Sequence, residues 1–171
     1  MRKSLTAVLA GLAISGAWAQ AGPYAGQQQR DIKSLSPEDV SALLAGEGMA
    51  FAKAAELNGY PGPAHVLEHA QALRLGPGQL ASSKALLEAH KARARQLGAA
   101  LVDAERALDR AFTDGRIDES VLAGLTGRIG AAQAQLREEH LLTHLQQAAL
   151  LDRDQIRTYA ALRGYSSGRH H

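Results

Sequence analysis

LASSKALLEAHKARARQLGAALVDAERALDRAFTDGRIDE, residues 80–119, decides the fold. Positions 80, 83, 87, 90, 94, 97, 101, 104, 108 and 111 alternate steps of three and four and read Leu, Ser, Leu, His, Ala, Leu, Leu, Ala, Leu, Ala. Side chains at that spacing share one helix face, so the stretch predicts a long α-helix with a narrow packing seam of the coiled-coil kind. Thr113-Asp114-Gly115-Arg116 is a turn, and Asp118 is placed to cap a second helix. A connection this short makes the two helices antiparallel neighbours. The second helix carries Leu122, Leu125, Ile129, Ala132, Leu136 and His140 on its inner face and runs past His144.

Upstream, Ser36-Pro37-Glu38-Asp39 opens a helix with a Ser cap, Pro at the first helical position and acids at the positive end of the helix dipole. It is expected to run to about Leu57, where Asn58-Gly59-Tyr60-Pro61-Gly62-Pro63 stops it. Pro63 then opens a second helix that ends near Leu73, and Leu75-Gly76-Pro77-Gly78-Gln79 punctuates the chain again. Downstream, Leu151-Asp152-Arg153-Asp154-Gln155 restarts a short helix that ends near Leu162. Apolar and polar residues never alternate for long, and Ala and Leu dominate. The expected class is all-α: an elongated four-helix hairpin or bundle, its third and fourth helices long and antiparallel, with a short C-terminal helix.

The first residues bear on the compartment. Arg2 and Lys3 precede an apolar run from Leu5 to Ile14, and Ala17-Trp18-Ala19 is the small-x-small pattern that signal peptidase cuts. Residues 1–19 therefore read as a signal peptide cleaved after Ala19. The run is too short for a permanent membrane anchor, and an exported, soluble mature protein is expected. Residues 20–35, with Gly22, Pro23, Gly26 and three consecutive glutamines, read as a flexible leader. Residues 36–165 form the helical domain, and 166–171 a disordered tail.

The 19 Lys and Arg stand against 17 Asp and Glu, and the signal segment holds two of the basic residues, so the mature chain is balanced. That leaves no basic stripe for nucleic acid. Cysteine is absent, which removes disulfides and thiolate ligands together. No nucleophile elbow, Walker loop or His-Glu-x-x-His motif is present, and an enzyme is not expected.

Chemistry is concentrated in histidine. His65 and His69, and again His140 and His144, stand four apart, a spacing that stacks two imidazoles on one helix face. A turn centred between Asp114 and Gly115 sets His90 opposite Glu139 and His140, at the end of the hairpin remote from the turn. The few residues between the second and third helices keep His65, Glu68 and His69 near that same end, with Glu88 and His90 on the intervening helix. His65, Glu68, His69, His140 and His144 are the candidate metal ligands. Four imidazoles and a carboxylate suit Zn, Cu, Ni or Co better than Ca or Mg. The pairs can meet within one chain or across a dimer.

These residues resemble the periplasmic Spy/CpxP-like family, which includes heavy-metal sensors of the CnrX type and zinc-resistance proteins. The family is marked by two Leu-Thr-x-x-Gln motifs. Leu75-Gly76-Pro77-Gly78-Gln79 stands at the first, with Gly76 for Thr, and Leu151-Asp152-Arg153-Asp154-Gln155 at the second, with Asp152 for Thr. The resemblance is closest to the sensor branch, whose His-x3-His pair before the first motif is matched by His65 and His69. Its His-x3-Met pair before the second motif is matched by His140, with His144 in place of Met. Exchanging a thioether for an imidazole favours zinc or copper over nickel or cobalt. The family's glutamate falls nearest Leu87, leaving Glu88, Glu68 or His90 as substitutes. The resemblance implies an exported, all-helical, usually dimeric protein of metal resistance or envelope stress sensing, working with an envelope regulatory partner. The alternative it implies is a metal-independent holdase chaperone for unfolded envelope proteins.

Overall fold

The computed structural model describes residues 22–165. Its regular elements are all helical: α1 (Pro37–Ala45), α2 (Lys53–Glu56), α3 (Pro63–Glu68), α4 (Pro77–Thr113), α5 (Glu119–Ala149) and α6 (Arg153–Leu162), after one 3-10 turn at Gln27–Gln29. The expected signal peptide and C-terminal tail lie outside the described residues. No described helix is long and apolar enough to cross a membrane.

The long hairpin forms from α4 and α5, as the seam predicts. Its turn closes at Gly115, which takes the left-handed conformation, and the Asp118 carboxylate accepts the Val121 N–H at 2.8 Å to start α5. Ala94, Leu97, Leu101 and Ala104 of α4 bury themselves in one cluster with Ile129, Ala132 and Leu136 of α5. Each such leucine contributes roughly 1.5–3 kcal/mol by leaving water.

A third layer comes from the N-terminal side. Ser36 and Asp39 exchange side-chain-to-backbone hydrogen bonds at 3.0 and 3.1 Å, a capping box that fixes the start of α1. The Ser36 hydroxyl, which also donates to Asp39 Oδ2 at 2.7 Å, and then the Ser36 N–H hold the Asp39 carboxyl below the usual carboxylate range. The end of α1 lies directly on α4: a Cβ on Gly98 would stand 2.0 Å from the carbonyl oxygen of Leu43. The glycine permits that approach.

Three boundaries differ from expectation. The helix expected from Ser36 to Leu57 is two helices, because Gly46 turns left-handed at φ 73° and its N–H closes back on Ala42 and Leu43. The helix expected from Pro63 to Leu73 ends at Glu68 and continues as turns, which direct Leu73 into a second buried cluster with Val66 and Tyr159. The leader is not free where it meets the helices. Ile32 is buried in the main cluster, Lys33 Nζ pairs with Asp109 at 3.0 Å, and the Ser34 hydroxyl donates to Glu105 at 2.8 Å. One apolar residue and two polar anchors outweigh the glycine and glutamine content around them.

Leu75–Gln79 and Leu151–Gln155 meet at the end of the hairpin remote from its turn. Gln79 Oε1 accepts the Gly76 N–H and Gln155 Oε1 the Asp152 N–H, each at 3.0 Å, so each glutamine closes the start of its own helix. The two amides also bond each other, at 2.8 and 2.9 Å. Their remaining donor capacity goes to the carbonyls of Leu150 and Leu73. Both amides are thereby satisfied with little contact to water. This link binds the starts of α4 and α6 together and fixes the segment carrying α3 beside α5.

Candidate metal centre

A cavity of about 950 Å³ opens between the α1–α3 segment and the hairpin, and His65, His90, His140 and His144 all line it. Helix geometry accounts for two of them: His140 and His144 are one turn apart on α5, and His90 reaches the same level from α4. His65 arrives on α3, whose entry is fixed by Pro63 at its first turn.

His140 is the most enclosed, only 3 % exposed. Its ring stacks on Phe51, with centroids 5.8 Å apart, and meets the His90 ring edge-on at 4.7 Å. Burial, reinforced by the neighbouring imidazole of His90, lowers its pKa to about 4, so it is neutral at physiological pH. Its Nε2 is buried with no hydrogen-bond partner among the described residues.

The other three imidazoles share one arrangement. His144 Nδ1 lies 2.7 Å from the Tyr60 carbonyl oxygen, His90 Nδ1 3.1 Å from Glu139 Oε1, and His65 Nδ1 3.1 Å from Glu68 Oε2. In each case Nδ1 carries the proton and donates it, which leaves the lone pair on Nε2. An N–H committed to a carbonyl or carboxylate is the usual outer shell of a metal-binding histidine. The Thr143 hydroxyl donates to the Glu139 carbonyl, and its oxygen, 3.0 Å from His90 Nδ1, shares that N–H with the Glu139 carboxylate. Gly62 makes room for another, since a Cβ there would fall 2.9 Å from His144 Nε2.

The remaining sequence candidates lie elsewhere. Glu68 and His69 do not line the cavity; Glu68 is exposed, and its carboxyl is held below the usual range by the hydrogen bond from His65. Glu88 is exposed on α4, away from the cavity. Among the described residues, no three His, Asp or Glu side chains are grouped closely enough to hold a metal ion as they stand. The donor chemistry fits a transition metal, then, and the spacing does not yet converge.

Sequence reasoning passed over Phe51, Glu56 and Tyr60. They lie in the segment read as one helix and its stop, where nothing in the pattern marks them; the break at Gly46 is what turns this segment back over α5. The chain matches no protein-family model, no curated protein and no solved structure.

Proposed function

We propose that this chain is a periplasmic, non-enzymatic protein that binds a divalent transition metal and serves heavy-metal resistance or envelope stress sensing. His65, His140 and His144 are its principal ligands, with His90 beside them. One observation supports this best: imidazoles from α3, α4 and α5 line one cavity, three of them with Nδ1–H engaged by a carbonyl or carboxylate and the fourth neutral, its Nε2 unpartnered among the described residues. An all-nitrogen imidazole set favours zinc or copper. Bound there, the ion would tie α3 to α5 and stabilise that closed arrangement by its binding free energy, which gives a homodimer partner or an envelope regulator a metal-dependent surface to read.

Isothermal titration of Zn(II) and Cu(II) into the purified chain tests this, in a background with His170→Ala and His171→Ala so that the tail adds no ligands. His140→Ala and His65→Ala should each weaken binding by about tenfold or more. Unchanged affinity in both variants removes the reading.

A second reading has its own support. Val121, Leu122, Leu142 and Leu145 of α5 are 37–51 % exposed, apolar surface that a holdase for unfolded clients would use. Suppression of client aggregation in EDTA, retained by the histidine variants, would favour it over the metal reading.

A further inference from the structure

We infer that Glu56, and not the Glu68 that the sequence suggests, supplies the carboxylate oxygen of the cavity's cation site, binding a divalent first-row metal directly through Oε2. The inference rests on the metal-binding reading above and names a donor it does not include.

Glu56 ends α2, and its two oxygens have opposite surroundings. Oε1 accepts the Tyr159 hydroxyl at 2.5 Å. Burial and the Glu56 charge push the Tyr159 phenol well above the usual tyrosine range, so it remains a donor. Oε2 is buried and has no hydrogen-bond partner among the described residues. The nearest candidate, His144 Nδ1, is 3.6 Å away and already engaged with Tyr60 at 2.7 Å. Arg163 lies on the other side, its Nε 3.5 Å from Oε1 and itself unpartnered.

A buried carboxylate oxygen with nothing to satisfy it is costly, and such groups in folded proteins are paired or coordinate a cation. Glu56 lines the same cavity as His140, whose Nε2 is also buried and unpartnered. One oxygen and one nitrogen, each buried from water and unpaired among the described residues, thus belong to side chains that line one cavity. That mixed donor set suits Zn(II), Cu(II), Ni(II) or Co(II), and the Tyr159 hydroxyl is placed to orient the carboxylate as outer-shell partners do. Glu68 has no comparable claim, since it is exposed and engaged with His65. A purely structural Glu56 would be a tether between His144 and Arg163, and the experiment separates the two.

Zn(II) affinity by titration calorimetry and the visible spectrum of the Co(II) form are measured in the tail-substituted background. Glu56→Gln keeps the shape and removes the charge. It should weaken Zn(II) binding by about tenfold or more and alter the Co(II) bands, while Glu68→Gln leaves both unchanged. Glu56→Asp withdraws the charge by one methylene and should also lose affinity, which serves if the Gln variant fails to fold. A folded Glu56 variant with wild-type affinity and Co(II) spectrum overturns the inference. If His140→Ala and His144→Ala still abolish binding in that case, the metal-binding reading stands without Glu56. If those histidine variants also bind normally, both fall.

Discussion

His140 is kept from the charge histidine normally gains in mild acid, and stability must register that. The unfolded chain protonates this imidazole near pH 6.5, whereas the folded chain resists until about pH 4. Between those values the unfolded state binds the extra proton, so the His140 contribution is intact above pH 6.5 and is lost as pH falls toward 4, a loss on the order of 2–3 kcal/mol. Urea unfolding in EDTA from pH 7.5 to 4.5 should show the decline, and His140→Gln should flatten it; parallel slopes for both proteins would contradict the assignment. Two glycines give a matched pair at the same scale. Gly98→Ala drives a methyl into the Leu43 carbonyl and should cost about 2–3 kcal/mol. Gly127→Ala meets nothing within 4 Å on α5 and should add about 0.5–1 kcal/mol through helix propensity. Thermal unfolding of the two variants checks the opposite signs. Nothing in the sequence separates these glycines, since both sit mid-helix and only the packing of α1 distinguishes them.

Elements were legible in proportion to how regular their packing is. The α4 seam predicted positions that are buried at Ser83, Ala94, Leu97, Leu101, Ala104 and Ala111, because a helix packed along its whole length repeats one contact. It did not predict burial of Gly98, Val102 and Glu105, which lie on a second face covered by α1 and the leader. Inner positions of α5 held at Ile129, Ala132, Leu136 and His140, while Leu122 near the turn is 38 % exposed. The α1–α3 segment was the least legible. Its course is set by left-handed residues at Gly46, Met49 and Gly59, and a non-glycine residue such as Met49 leaves no compositional mark. The candidate site divides along the same line. His90, His140 and His144 sit on regular helices, and their place along one cavity followed from the hairpin, whereas Glu56 depends on the irregular segment and was invisible.

At the scale of the whole molecule, the Gln79–Gln155 pair ties the start of α4 to the start of α6 beside the second buried cluster, and its partners are 76 residues apart. The α4–α5 hairpin, by contrast, closes through a turn of a few residues. Closing a short loop costs less entropy than closing a long one, so local pairing comes early in folding and distant pairing late. The glutamine pair should therefore be unformed at the rate-limiting step. Gln155→Ala removes the amide bonded to Gln79, the Leu73 carbonyl and the Asp152 N–H, and should cost about 1–3 kcal/mol, nearly all of it as faster unfolding with refolding unchanged. Stopped-flow chevrons would show this directly, and a slowed refolding limb would place the pair in the nucleus instead. The lifetime of the native state, more than the speed of reaching it, is then what these two side chains set.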